Sequence, residues 1–232
     1  MKAPFISIVL PIYNQADHVR SVVQEYEEAL ARVTNPHELI LVVNGCRDSS
    51  LDVCRALAKQ YPNVQVIYTE KAGWGLAVKL GLEAAQGELL CYTNSARTSA
   101  QDLMLLLLYA IAFPHAVIKV NRKIRENWHR RLGSLLYNLE CRALFDLSYW
   151  DINGTPKVFP RTFDKLLSLT RDDDLIDAEF NIICRREGYQ VLEVPIFSYL
   201  RHGGKSMTTY RSALKMYWGA IRLWRNIRKG GA

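Results

Sequence analysis

Residues 73–97 read GWGLAVKLGLEAAQGELLCYTNSAR. The glycine-flanked Trp74 opens a helical stretch that runs to about Ala85, and Gly87 stops it. Leu89, Leu90, Cys91 and Tyr92 follow as a strand apolar on both faces. That strand ends abruptly in Asn94, Ser95, Ala96 and Arg97, and no carboxylate stands between Glu88 and Asp102. A helix feeding a wholly apolar strand is the unit of a parallel sheet, and in such sheets chemistry sits where strands end.

The same unit repeats outward from this stretch. Residues 5–10 are an apolar β-branched run closed by Pro11. Residues 38–43 form a second, closed by Asn44-Gly45-Cys46-Arg47-Asp48, and residues 64–68 a third. Between them, Val19, Val22, Val23, Tyr26 and Leu30 keep a 3.6-residue period behind Asp17 as cap. Ser49 or Ser50 caps a helix over 51–60. Downstream, Ser99 caps a helix through Ala112, and residues 116–120 return as strand. The alternation predicts an α/β fold with a Rossmann-like, mostly parallel central sheet and helices on both faces. Right-handed crossovers should then bring the loops after strands one, two and four to one crevice.

The second half is less regular. Residues 127–145 read as a long helix with a basic start and leucines at 132, 135, 136, 139 and 144. A loop and short strand over 150–159 precede a short helix expected from Pro160 to Leu169. Asp172-Asp173-Asp174 suits the N-terminus of a helix over 175–187. Residues 190–200 read as a strand interrupted at Pro195, followed by a basic glycine-bearing loop at 201–206 and a last helix over 210–229.

Lysine and arginine exceed aspartate and glutamate by 30 to 23, a formal charge of +7. The excess is concentrated: six basic residues against one Glu lie between Lys119 and Arg131, and six with no acid between Arg211 and Lys229. Such segments suit phosphates, anionic lipid or nucleic acid, but no nucleic-acid recognition motif accompanies them, so nucleic acid is not expected as a partner. The five cysteines form no C-x-x-C pair and the histidines are scattered, which predicts reduced thiols and no metal cluster. No signal-peptide pattern follows Met1, and the longest apolar run, 103–113, is too short to span a bilayer. The expected location is cytoplasmic, peripheral at the inner face of the cell membrane.

Taken in order, SIVLPIYNQ (7–15), LILVVNGCRDSS (39–50), the 73–96 stretch, DINGTPKVF (151–159), DAE (177–179) and RHGGKS (201–206) resemble the family 2 glycosyltransferases. The likeness covers residues 5–210 and is nearest to the dolichyl-phosphate mannose or glucose synthase branch. It implies the GT-A fold, a nucleotide-sugar donor and inversion at the anomeric carbon. It assigns Pro11, Tyr13, Asn14, Asn44 and Asp48 to the donor's base and ribose. Lys71 and Lys79 flank a glycine turn whose amides would approach phosphate. Asn94-Ser95-Ala96 stands where the family carries Asp-x-Asp, whose carboxylates hold Mg²⁺ or Mn²⁺. Gln15 and Val43-Asn44 likewise replace acids usual in the family. One neutral oxygen on Asn94 and none on Ala96 disfavour the metal, and no other cofactor is implied. Arg97, Lys79, Arg201 and Lys205 would then neutralise the leaving diphosphate.

The resemblance also places Arg201 and Ser206 in an Arg-x-x-Gly-x-Ser loop that closes over the donor. Asp177 and Glu179 match an Asp-x-Glu on a helix facing the reaction centre, and with Arg201 they are the catalytic candidates. For a hydroxyl acceptor one carboxylate would be the general base; for a phosphate acceptor it would orient or bind. Arg122, Arg130 and Ser134 match an acceptor-phosphate site, and Arg130 and Ser134 share a helix face by their spacing. Asp151, Asn153 and Lys157 match the acceptor-side loop. The implied function is sugar transfer from a nucleotide sugar to polyprenyl phosphate or a glycan, without the usual metal. A catalytically inactive member, serving as a binding or regulatory partner, is the alternative. The domain is expected over residues 1–208. The basic amphipathic helix over 209–232 would either lie on a membrane surface or pack on the domain.

Overall fold

The structure, a computed structural model, describes residues 3–123, 128–197 and 210–229, without the side chains of 128–131, 210–213 and 229. The strands are β1 (Ile6–Ile12), β2 (His37–Asn44), β3 (Val64–Thr69), β4 (Leu89–Tyr92), β5 (Ala116–Arg122), β6 (Lys157–Pro160) and β7 (Gln190–Ile196). The helices are α1 (Val19–Leu30), α2 (Ser50–Gln60), α3 (Trp74–Ala84), α4 (Ala100–Ala112), α5 (Trp128–Phe145), α6 (Ile176–Arg186) and α7 (Tyr210–Lys229). One sheet contains all these strands in the order β3-β2-β1-β4-β6-β5-β7. β6 runs antiparallel to both its neighbours, and the other pairings are parallel.

The wholly apolar strands follow from burial on both faces. Ile6, Ile8 and Leu10 of β1 pack with α1, α2 and α4 on one side, while Val9 packs with α3 and α6 on the other. Successive residues point to opposite faces, so a strand covered on both must be apolar throughout. A smaller cluster joins Tyr137 and Cys141 of α5, Ile152, Ala178 of α6 and Ala220 of α7. The inner face of α7 therefore packs on the rest of the protein.

β2 and β3 lie to one side of β1 and β4 to the other, so the strand order reverses between β1 and β4. Ligands of open α/β sheets bind at such a reversal. Pro11 lies inside β1, opposite Val42 of β2. A proline in an inner strand would normally forfeit a ladder hydrogen bond. Here β4 pairing ends at Val9↔Tyr92, and the last bond on that side runs from the Thr93 N–H to the Val9 carbonyl (3.1 Å). Two residues on, Pro11 faces the same side, where no β4 strand remains.

Several local expectations are corrected. The Asp17 carboxylate lies 2.5 Å from His18 Nδ1, and the residue at the N-cap of α1 is His18. Neither Ser49 nor Ser50 caps α2 by its side chain; Asp48 Oδ1 instead accepts from the Ser50 N–H (3.1 Å) and hydroxyl (2.6 Å). Ser99 does cap α4, accepting from the Asp102 N–H (3.0 Å). Pro160 ends β6, and only a 3-10 turn at Asp164–Leu167 follows. β7 continues through Pro195, which an edge strand tolerates because one side has no neighbour to bond.

Gly81 lets α3 lie against the sheet. A Cβ there would sit 2.1 Å from Val9 Cγ1 and 3.1 Å from Val42 Cγ2. Gly81→Ala is expected to destabilise the fold by about 1–3 kcal/mol through overpacking, read as a lower urea midpoint at unchanged slope.

Candidate active site

Three loops at the carboxyl ends of β1, β2 and β4 are hydrogen-bonded into one ledge. Asn14 adopts a left-handed backbone (φ 49°), which asparagine tolerates. Its Oδ1 accepts from the Arg47 N–H (2.8 Å), while Asp48 Oδ2 accepts from the Ala16 N–H (3.0 Å). The Gln15 N–H donates to Ser50 Oγ (2.8 Å), and Ser95 Oγ donates to Gln15 Oε1 (2.6 Å). Partial burial alone would raise the Asp48 carboxyl, but hydrogen bonds from the Ser50 hydroxyl and the Ala16 N–H prevail and hold it below its ordinary value. Pro11 is buried beneath the ledge and the Tyr13 ring is half-buried on it.

The Asn94 stretch completes the ledge without a carboxylate. Asn94 Oδ1 accepts from the Ala96 N–H (3.1 Å), Ser95 and Ala96 are buried, and Arg97 is half-buried. This donor set does not fit a divalent cation, which needs several oxygen ligands and at least one anionic one. The single side-chain oxygen at 94 is neutral and already engaged by its own turn.

Several residues that the resemblance assigns to the donor also bond to the scaffold. Asn44 is buried, its Oδ1 accepting from the Gly73 N–H (3.1 Å) and its Nδ2 donating to the Ile12 carbonyl (2.9 Å). Asn44 thus ties the β2 end to β1 and to the start of α3. The position needs a donor as well as an acceptor, which an aspartate cannot supply. Two amides of the glycine turn are engaged within the protein, the first by Asn44. The Leu76 N–H donates to the Asp172 carbonyl (3.0 Å), and a Cβ at Gly75 would lie 2.4 Å from the Arg171 carbonyl oxygen. Residues 171–173 therefore cover the start of α3. Lys79 Nζ donates to the Thr170 carbonyl (3.0 Å) and pairs with Asp172 (2.6 Å).

The catalytic pair Asp177 and Glu179 divides. Asp177 is buried at the start of α6, accepting from Tyr92 Oη (2.9 Å), Trp74 Nε1 (3.1 Å) and Lys157 Nζ. Glu179 accepts from the Thr170 N–H (3.0 Å) and Arg171 N–H (3.0 Å) on another face. Residues two apart on a helix do not share a face, so the two carboxylates meet different neighbours. Lys157, expected in the acceptor-side loop, is fully buried on Asp177.

Lys119, counted from the sequence among a run of basic residues, lies directly opposite Lys157 across the β5–β6 pair and is also fully buried. Its Nζ donates to the Trp150 carbonyl (2.7 Å) and Asn181 Oδ1 (3.1 Å), with Glu193 at 3.5 Å. Burial, together with the neighbouring Lys157 charge, pulls Lys119 down to about 8. Burial also lowers Lys157, with Asp177 opposing it, and pushes the Tyr92 hydroxyl well up. The legible signal was a lysine inside the apolar run AVIKV at 116–120.

On the acceptor side, Arg122 grips Asp151 with two parallel bonds of 2.7 Å and donates to the Asn153 carbonyl (2.9 Å). Asn153 Oδ1 is buried without a partner. Ser134 is half-exposed on α5. The Arg130 side chain, Arg201, Lys205 and Ser206 lie outside the described residues.

An open sheet whose loops meet at its strand-order reversal is the arrangement of a nucleotide-binding α/β protein. Residues 7–174 match the family described as Glycosyl transferase family 2, and the chain belongs to it. It is 25% identical over 185 residues to an undecaprenyl-phosphate 4-deoxy-4-formamido-L-arabinose transferase of Pseudomonas fluorescens, covering 78% of this chain and 55% of that protein. The Serratia proteamaculans protein of that name is 24% identical over 220 residues, covering 93% and 66%. The chain thus spans about half to two thirds of the length of these curated relatives. Among solved structures, glucosyl-3-phosphoglycerate synthase from Mycobacterium tuberculosis, in complex with Mn²⁺, UDP and glucosyl-3-phosphoglycerate, superposes with a TM-score of 0.72. It is 18% identical, with 94% of this chain and 77% of that one covered. Mannosyl-3-phosphoglycerate synthase from Rubrobacter xylanophilus gives 0.68 at 16% identity, covering 98% and 75%. The fold is GT-A.

Two stability predictions follow from the buried charges. Lys157→Met leaves Asp177 buried without its cation and should cost about 3–5 kcal/mol, part of which Asp177→Asn in the same chain restores. For Lys119 the sign is set by its lowered folded value. Between about pH 8 and pH 10 the unfolded chain holds a proton that the folded chain has lost. Wild-type stability should therefore rise relative to Lys119→Met across that window, measured by urea unfolding at several pH values.

Proposed function

We propose that this domain transfers a sugar from a nucleoside-diphosphate sugar to the phosphate of a polyprenyl carrier, with inversion, as a peripheral protein at the cytoplasmic face of a membrane. The observation that carries the reading is the ledge at the β1–β4 reversal, where neutral groups have replaced acids together. Gln15 and Ser95 join two of the loops, Asn44 ties the β2 end to β1, Asn94 braces its own turn, and Asp48 is the carboxylate that bonds across the ledge. A diphosphate approaching such an edge meets little negative charge, which lessens the need for a bridging cation. Arg97, with Arg201 and Lys205, would take up the charge that develops on the leaving group. The base would pack on Tyr13.

The acceptor class follows from Asp177. Its carboxylate is buried and occupied by three donors, Trp74, Tyr92 and the buried Lys157, so it offers a hydroxyl acceptor no free base. A hydroxyl nucleophile needs a base, whereas a phosphate arrives as an anion. The phosphate oxygen would attack the anomeric carbon from the face opposite the diphosphate. The bond from that carbon to the diphosphate oxygen breaks as the new one forms, and the electron pair leaves on the diphosphate. The names of the undecaprenyl-phosphate transferases support the same acceptor class.

Calorimetric titration with uridine, guanosine and cytidine diphosphates, with Mn²⁺ and with EDTA, tests the donor half. One nucleotide should bind equally in both, and Tyr13→Ala should weaken it about tenfold. Binding that requires Mn²⁺ would remove the metal-free reading, and no binding of any nucleotide would remove transfer altogether.

A further inference from the structure

The outer face of α5 carries leucines that no described element covers. Leu132, Leu135, Leu136 and Leu139 recur at the spacing of one helical stripe, and each is between 43% and 50% exposed. The opposite face of the same helix is buried through Tyr137 and Cys141. Its neighbour α7 is built alike. Tyr217 Oη donates to the Gly133 carbonyl (2.5 Å) and Ala220 is buried, while Leu214 (59%) and Trp218 (66%) stand out in solvent.

We infer that the outward faces of α5 and α7 together are the surface by which this protein docks on an anionic bilayer. Charge selects that occupant. Lys215, Arg222, Arg225 and Arg228 are exposed on α7, and residues 211–229 hold no acid. Apolar side chains among exposed cations suit the interface of an anionic membrane, where the chains enter the acyl boundary and the cations meet headgroups. A second copy of this chain would bring a like-charged helix against the first, which opposes self-association through this face. No described helix is long and apolar enough to cross a membrane, so both would lie along the surface.

α5 also couples this surface to the acceptor side. Asn138, on its buried side, accepts from the Ile152 N–H (3.0 Å), next to the Asp151 that Arg122 grips. The acceptor loop therefore sits about one helix diameter, roughly 10–12 Å, beneath the leucines. Docking would hold a lipid-borne phosphate at the depth of Arg122 while its chain stays in the bilayer. This last consequence rests on the transfer reading above; the docking itself needs neither donor nor acceptor.

Co-sedimentation with phosphatidylcholine vesicles, with and without phosphatidylglycerol and lacking any polyprenyl phosphate, tests the inference. The wild type should bind only the anionic vesicles, and about 1 M salt should weaken binding. The double variant Leu135→Glu with Leu136→Glu should bind at least about tenfold more weakly, as should Trp218→Glu. Both alter exposed positions, and unchanged urea midpoints would show that they fold. Failure of the wild type to bind anionic vesicles would overturn the inference. So would leucine variants that bind like wild type, or sedimentation velocity showing a dimer that the leucine variant dissolves. Vesicle binding that follows these expectations in a protein that binds no nucleotide would sink the transfer reading and leave the docking surface standing.

Discussion

The ion pair between Lys157 and Asp177 is the contact on which the second half of the molecule depends. Both groups are buried, and burying charges is costly unless they are paired and hydrogen-bonded. The pair meets that condition by drawing in other elements. Tyr92 comes from β4, Trp74 from the start of α3, and Lys157 lies over the Tyr92 and Phe180 rings. Lys119 stands opposite Lys157 and brings Asn181, Trp150 and Glu193 with it. The antiparallel strand β6 is thereby locked against α6, since any slip in register would leave a charge without its partner.

This arrangement bears on where reactivity can reside. Asp177 and Lys157, which motif matching assigns to catalysis and acceptor binding, are occupied with each other. Glu179 and Lys79 are occupied with residues 170–172. The polar groups remaining at the strand ends belong to the β1–β4 reversal and to the Arg122–Asp151 side. The first is a ledge of neutral amides and hydroxyls; the second is a guanidinium locked by two parallel bonds. A scaffold of buried ion pairs thus lies beneath an edge from which most acids have gone.

The same economy of charge runs outward through α5. Its inner side meets the acceptor loop by Asn138, and its outer side is apolar. A helix with a buried stripe usually turns a polar back to water. α5 and α7 instead expose leucine and tryptophan beside clustered bases, which sets this side of the molecule apart from an ordinary solvated face.

Much of the first half was legible from residue order. Runs such as 38–43 and 89–92 admit little else than strands covered on both faces, and the helical period between them sets the alternation. That loops one, two and four meet also follows from alternation and crossover hand. The antiparallel β6 was not legible as a member of the central sheet, because four residues carry no periodic signal and their pairing is a long-range choice. The site was legible as positions and not as roles. Sequence order alone located Tyr13, Asp48, Asn94 and Asp177 at strand and helix ends. Only the tertiary structure decided that Asn44 ties three loops, that Lys79 and Glu179 serve one neighbouring segment, and that Lys157 is buried on Asp177. The reason is physical: a motif specifies which side chain is present, whereas burial and the nearest opposite charge decide what that side chain is free to do.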